Sequence, residues 1–375
     1  MSIEYVEIRD ANTDIIGIID DAASIIWHSV YFGVGDFEIY TKLTPDSIAL
    51  LRDNYYVTRP DRDDIGIVEK ISTTYDQQKG VMIVASGRLA KSILDRRLIY
   101  NLSGNTNTAT VLRGNVEAEV RKVVQNNAIS CAFDSKRNIG ILELGALANI
   151  EQRIVDDNGT AAQKQVSYEN LLQYTDGVLE EYGLAARVVL DKERRKLQYI
   201  VYQGKDLSVD NTSGGIPVIF SQEFDNLSAS TYSLDTTQEK NTALIGGEGE
   251  GLERFYSLLA GTEAGLQRRE IWVDASSISK TYKADDETDQ TYTDTEYTAM
   301  LVVQGKQTIA SLVKVEAFDG TIDITNGNYV YGRDFTLGDI VTVQDNAIGK
   351  YANVRIREIT EAQDENGYKI EAVYQ

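Results

Sequence analysis

Two stretches near opposite ends of the chain repeat one pattern. Near the N-terminus, Asn54-Tyr55-Tyr56-Val57-Thr58 leads after a polar break to Ile67-Val68-Glu69-Lys70-Ile71. A polar turn ending at Gly80 then precedes Val81-Met82-Ile83-Val84-Ala85. Near the C-terminus, Gly338-Asp339-Ile340-Val341-Thr342-Val343 leads to Val354-Arg355-Ile356-Arg357-Glu358-Ile359. A turn ending at Gly367 then precedes Tyr368-Lys369-Ile370-Glu371-Ala372-Val373. Each copy reads as strand, polar loop, alternating strand, Gly-ended hairpin, strand. Alternation of Val354 and Ile356 with arginines gives one buried and one wet face. The pattern predicts two related antiparallel β-barrel modules, although two unrelated β-meanders would show the same pattern by chance. Three such chains in a closed ring would present six similar modules, which suits joining a six-fold object to a three-fold one.

The rest of the chain fits around this frame. Residues 1–104 are rich in short β-branched and aromatic runs between polar breaks and read as the first barrel domain. Within them, 65–71 reads as one strand, and Thr44-Pro45-Asp46 opens a short helix over 47–52. From about residue 108 the period changes to helical: Val116, Val120, Val123 and Val124 share a face, with Thr110 as N-cap and Asn126-Asn127 as stop. Residues 131–133 read as a strand. A second helix starts at Ser167 and ends at Gly183, and a hairpin follows around 192–196. Residues 105–206 are therefore a small α/β domain. Residues 207–293 are β-rich and link and complete the barrels. Residues 294–375 hold a helix over 295–312 and the second barrel domain. Residues 283–296 carry six acids against one lysine and read as an exposed loop. The fold class is mainly β with an α/β insert, that is, α+β.

Composition removes much catalytic chemistry. Among 375 residues there is one histidine, His28, and one cysteine, Cys131, so two-histidine metal motifs, intrachain disulfides and cysteine zinc sites are excluded. Cysteine usage fits a reducing compartment. The formal charge of -21 opposes nucleic-acid wrapping and anionic membranes. The start Met1-Ser2-Ile3-Glu4 has neither a basic nor an apolar leader, and no stretch approaches membrane-span length, so no membrane anchor is expected.

The remaining motifs read as structural. Gly246-Gly247-Glu248-Gly249-Glu250-Gly251 lacks both the lysine-ended and the dinucleotide spacing of phosphate loops and carries two carboxylates, so it reads as a turn. His28 beside Trp27 reads as a strand or interface residue, and Cys131 as a buried thiol. The acidic clusters Asp61/Asp63/Asp64 and Asp156-Asp157-Asn158 lack the calcium-loop pattern and read as solvated turns. Arg52/Arg59/Arg62 and Arg96-Arg97 read as small basic patches, the second snorkelling around a core edge. The 22 tyrosines suit either interfaces or ordinary sheet surface.

Taken in order, several of these residues resemble the siphovirus tail proteins related to the contractile-phage baseplate hub and to the N-terminal part of tail-associated lysins. The matching residues are Trp27, Tyr31, Gly35 and Phe37-Glu38-Ile39, then Arg59, Gly66-Ile67-Val68-Glu69, Gly87, Leu94, Arg97 and Ile99. They continue through Gly246-Gly247-Glu248-Gly249-Glu250-Gly251 to Tyr331, Asp334-Phe335, Leu337-Gly338-Asp339 and Val341.

The resemblance implies a phage or prophage virion structural protein, made in the host cytoplasm and placed in the tail. It implies a homotrimeric hub under a hexameric tail-tube or distal tail protein, with tip, spike or fibre proteins below and DNA passing without being bound. The family-motif residues are then structural or interfacial, and no cofactor, metal or catalytic residue is expected. Several relatives continue into a peptidoglycan-cleaving or receptor-binding extension. This sequence stops at Gln375 after the second repeat, which argues against lytic activity. Two other classes stay open: a tail-associated cell-wall hydrolase and a carbohydrate-binding receptor module.

Overall fold

The computed structural model describes residues 3–374 except 78–79, 105, 156–159, 213, 225–226, 228, 284–288, 324–328 and 348. The acidic cluster Asp156-Asp157-Asn158 and part of the acidic loop 283–296 fall outside the described residues. Strands take 43% of the chain and helices 19%, which places it in the α+β class. The chain forms two compact units, one of residues 1–230 with 319–375 and one of residues 231–318.

In the first unit, β1 (Val6–Arg9) and β2 (Ile15–Ile19) form a hairpin, and β3 (Ser24–Val30) and β4 (Asp36–Lys42) form a second. Strict alternation in β3 and β4 turns Ile25, Trp27, Phe37 and Ile39 into the core. Helix α1 (Pro45–Leu50) starts in a capping box: the Thr44 hydroxyl accepts the Ser47 N–H, and the Ser47 hydroxyl accepts the Thr44 N–H. The run expected as one strand over 65–71 is broken. β5 (Tyr56–Thr58) pairs with β6 (Ile65–Ile67), whereas β7 (Lys70–Asp76) leaves for another sheet to pair with β8 (Gly80–Arg88). The break falls at the buried Val68, whose N–H donates to Tyr55 O and whose carbonyl accepts the Asn54 N–H. The small sheet runs β2-β1-β5-β6. Val6, Ile8, Val57 and Val68 close one core with Trp27, Phe37, Ile39 and Ala85.

The helical insert begins later than its sequence suggests. Thr110 lies in a strand, Thr110–Arg113, paired with Gln163–Val166, and Gly114 (φ 85°) turns the chain. Asn115 is the true N-cap of α2 (Val116–Val124), accepting the Ala118 N–H at 2.8 Å. Asn126 and Asn127 do not stop it. The chain winds on through a π-turn, Gln125–Ile129, in which Asn127 is buried and donates to Val123 O. Helix α3 (Leu171–Glu181) is capped by Asn170 rather than Ser167 and ends before Gly183 (φ 67°). Both helices cover a sheet of β9 (Leu142–Leu144), β10 (Ala185–Asp191) and β11 (Lys196–Tyr202), in the order β9-β11-β10. Residues 131–133 are not a strand; buried Cys131 donates its N–H to Asn138 and lies 3.6 Å from an Arg137 nitrogen.

A buried ion pair lies in this core. Lys91 Nζ donates to both carboxylate oxygens of Asp176 at 2.9 and 2.8 Å. Burial pushes the Lys91 ammonium down against the pull of Asp176, and pushes the Asp176 carboxyl up against the pull of Lys91. Here desolvation outweighs attraction. Replacing both partners (Lys91→Met with Asp176→Leu) should leave stability unchanged or raise it by roughly 1–4 kcal/mol, whereas either single change should cost about 3–5 kcal/mol. Urea unfolding of the three variants checks this, and a double variant weaker than both singles would refute it.

The chain then runs through β12 (Ile219–Ser221) and β13 (Ala229–Asp235) into the second unit. That unit holds β14 (Thr242–Gly246), β15 (Tyr256–Ala260) and β16 (Glu270–Asp274), in the order β15-β14-β16. One face packs on α4 (Asp294–Ala310) through Ala243, Ile245, Val273, Tyr297 and Leu301. Thr293 and Glu296 form the capping box of α4.

The chain returns along β17 (Val315–Asp323) to β18 (Ile340–Asp345), β19 (Lys350–Asp364) and β20 (Gly367–Tyr374). Both Gly-ended hairpins of the repeat exist: Asp76 faces Gly80 across β7–β8, and Asp364 faces Gly367 across β19–β20. They belong to one sheet, in the order β13-β17-β20-β19-β3-β4-β8-β7, which β18 and β12 extend through the first half of β19. The joint is the β3–β19 pairing, from Val30 opposite Glu358 to Ser24 opposite Asp364. Among the described residues this path has two free ends, so neither module closes into a barrel by itself.

Candidate functional site

Alternation carries Glu361 on β19 to the same side as Ile359, into the core, where its side chain is 3% exposed. A lone carboxylate there would be costly, and two guanidiniums meet it. Arg59 Nη1 donates to Glu361 Oε2 at 2.8 Å, Arg62 Nη2 to Oε1 at 2.7 Å, and the Tyr368 hydroxyl to Oε1 at 2.6 Å. Arg59 also chelates Asp61 at 3.0 and 2.7 Å and lies 5.9 Å from the Trp27 ring centroid. Burial works against the Glu361 carboxylate, but Arg59 and Arg62 outweigh it and hold the carboxyl below its usual range. Burial likewise opposes the Arg59 charge, and Glu361 and Asp61 overcome it.

The loop bearing these arginines also grips the insert. Arg187 Nη1 donates to Asp63 at 2.9 Å and lies 3.6 Å from Asp64. Leu190 N–H donates to Asp63 O, and Lys192 Nζ reaches the carbonyls of Arg59 and Pro60. Burial raises the Asp64 carboxyl, with Arg187 pulling the other way. The sequence reading of Arg52/Arg59/Arg62 as a surface basic patch is thus corrected: Arg59 and Arg62 are internal cations. Asp61 and Asp63 do lie exposed in a turn, as read from sequence, but each is ion-paired, Asp61 with Arg59 and Asp63 with Arg187, and Asp64 is partly buried beside Arg187. Beside them opens a cleft of about 240 Å³, lined by Arg62, Asp64, Arg187, Tyr202 and Tyr331. Both guanidiniums are already matched by carboxylates, which leaves no spare positive charge for an anion.

The family-motif residues fall into distinct groups. Trp27 stacks on Phe37 with ring centroids 5.7 Å apart, and Gly66 packs against Phe37 where a side chain would collide. Gly35 lets its backbone approach His28 O and accepts the Leu89 N–H. A second group joins three parts of the first unit. The Tyr31 hydroxyl donates to Gly183 O at 3.0 Å and accepts the Gly204 N–H at 3.2 Å. Gly338 (φ 93°) lies against the Tyr31 ring, and Arg355 lies 5.1 Å from its centroid. Asp339 accepts N–H bonds from Lys205 and Thr336, both at 2.7 Å, and Phe335 packs edge-on to Phe220. Glu69 chelates Arg88 at 2.8 and 2.9 Å, and Arg97 donates to Arg137 O.

In the second unit, Gly247 packs on the Tyr297 hydroxyl, and Gly249 (φ 99°) and Gly251 (φ 55°) turn the chain between β14 and β15. Glu248 accepts from Lys280 N–H at 2.7 Å, so the glycine loop is a side-chain-braced turn. His28 sits between the carboxylates of Asp36 and Glu358, on β4 and β19, at 3.0 and 3.2 Å. Glu361, Arg187, Gly204 and Arg355 were not singled out from sequence. An acid on the buried phase of an alternating strand was the one available signal for Glu361.

These contacts hold one segment of the chain to another. The chain belongs to the Siphovirus ReqiPepy6 Gp37-like protein family, whose model matches residues 5–374. It is a phage or prophage tail protein, and membership implies a place in the virion tail. Over 99% of its length the fold is similar to the prophage MuSo2 43 kDa tail protein from Shewanella oneidensis, at 13% identity, TM-score 0.54 and 98% of that chain. It is likewise similar to the tail protein from Neisseria meningitidis MC58, at 15% identity and TM-score 0.55, over 99% of this chain and 95% of that one. Among curated proteins there is no match. No described helix is long and apolar enough to cross a membrane.

Proposed function

We propose that this protein is a non-catalytic hub at the distal end of the tail, where three copies form a ring between a hexameric tube and three-fold tip components. One observation carries the reading. The main sheet is an eight-strand path made of two four-strand halves, β7-β8-β4-β3 and β19-β20-β17-β13, each containing one Gly-ended hairpin. Three copies supply six such halves, and the edge of β7, which ends the path among the described residues, is a natural place for one copy to meet the next.

The open face of this sheet would then look onto the passage for DNA. Pairing across β3 puts Asp36, Glu38, Glu358, Asp364 and Glu371 on that face, against Lys42, Lys70, Arg88 and Lys369. Among the described side chains acids outnumber cations there, five to four, the sign that keeps phosphates from adhering.

Size exclusion with light scattering should give a particle of three times the 41.7 kDa chain mass, alone or mixed with purified tube hexamers, and negative-stain images should show a ring. A monomer under both conditions would overturn the proposal.

A further inference from the structure

The second unit covers one face of its sheet with α4, and among its described residues the other face is left exposed. Register puts Leu258, Leu244 and Trp272 in one row across β15, β14 and β16, with Tyr256 beside Gly246 in the next. These four side chains are 44–56% exposed. A Cβ on Gly246 would run into the Trp272 ring, so the indole lies across the strand only because that position is glycine. The Tyr256 ring stands 6.3 Å from the indole, tilted by 55°, and the Arg254 guanidinium lies 5.7 Å from the indole centroid. Glu270 and Asp274, two residues to either side of Trp272 on β16, are exposed on the same face.

We propose that this face binds a pyranose glycan bearing N-acetyl groups, stacked on Trp272 and Tyr256. A sugar ring offers apolar C–H faces to aromatic rings and hydroxyls at its edge, matching rings flanked by polar groups. Glu270 Oε1 is held by Arg268 at 2.6 Å and Asp274 Oδ1 caps the Ser276 N–H at 3.0 Å, so each carboxylate turns its other oxygen to sugar hydroxyls; Arg254, whose Nε donates to Gly249 O, turns its terminal nitrogens to ring or acetyl oxygens. Leu244 and Leu258 continue the apolar row and suit acetamido methyls. A protein layer over the indole would bury two carboxylates and a guanidinium with it, whereas charge is depleted at protein interface cores. Nucleic acid would bring phosphates against Glu270 and Asp274. The proposal is independent of the trimeric ring.

The chain contains two tryptophans, and Trp27 is 1% exposed, so a sugar-induced emission change reports Trp272. Titrating the full chain with the β-1,4-linked N-acetylglucosamine pentamer should give a saturable change. Calorimetry should show affinity lowered about tenfold or more in Trp272→Ala, or about 1.4 kcal/mol. Asp274→Asn, at an exposed position, should weaken binding without moving the melting temperature, and so tests the site even where the tryptophan variant folds poorly. The glucose pentamer, which lacks acetamido groups, should bind several-fold more weakly. Overturning results are no saturable change, undiminished affinity in both variants, equal binding of the glucose pentamer, or a concentration-dependent emission shift without sugar that Trp272→Ala abolishes.

Discussion

Glu361→Gln should be among the most damaging single substitutions in the first unit, costing about 3–5 kcal/mol. It removes the charge that matches Arg59 and Arg62 at 2.8 and 2.7 Å while leaving both guanidiniums in the core. A drop in melting temperature on the order of 10 °C follows from that loss. The effect has a pH signature. The Glu361 carboxyl titrates lower in the folded chain than its unfolded value near 4.5, so its contribution is complete above that pH. It is lost as the pH falls through the folded value. Thermal unfolding at pH 7 and pH 4 should therefore separate parent and variant widely at pH 7 and bring them closer at pH 4. A variant melting within about 2 °C of the parent at pH 7 would show that the cluster does not hold the sheet.

Gly338→Ala should come close behind. The position combines a left-handed backbone with direct packing on the Tyr31 ring, and the ring cannot retreat because its hydroxyl is fixed at both Gly183 and Gly204. Overpacking of about 1–3 kcal/mol adds to a backbone cost of about 1–2 kcal/mol. The two sites should couple: in a Tyr31→Ala background the same change should cost distinctly less, since only the backbone cost remains. Urea unfolding of the four-member cycle measures this. Additivity within about 0.5 kcal/mol would remove the argument that Tyr31 is what Gly338 accommodates.

Much of the architecture was legible in sequence because its signals are local. Short β-branched and aromatic runs marked the strands of the first 104 residues, the polar turns before Gly80 and Gly367 marked both hairpins, and the glycine loop at 246–251 read correctly as a turn. The α+β class and the tail family followed from the same residues. What escaped depends on partners far away in the chain. Arg59 and Arg62 look like surface cations until Glu361 is placed beside them. Nothing in residues 65–71 shows that the chain changes sheets at Val68, because both pieces have strand composition. Thr110 fits a cap by type, but the β-forming Val111 and Leu112 after it find a strand partner at Lys164 and Gln165. The two hairpins suggested separate closed modules, and only the pairing of β3 with β19 makes them one sheet.

That pairing also sets a clock on synthesis. Trp27 and its neighbours pair with β4 at once but cannot find their second strand partner until β19 has been translated, and Arg59 waits 302 residues for Glu361. At typical elongation speeds the open edge of β3 stays exposed for roughly tens of seconds on the ribosome. The nascent chain therefore has a built-in window in which a chaperone, or an unwanted neighbour, reaches that edge first.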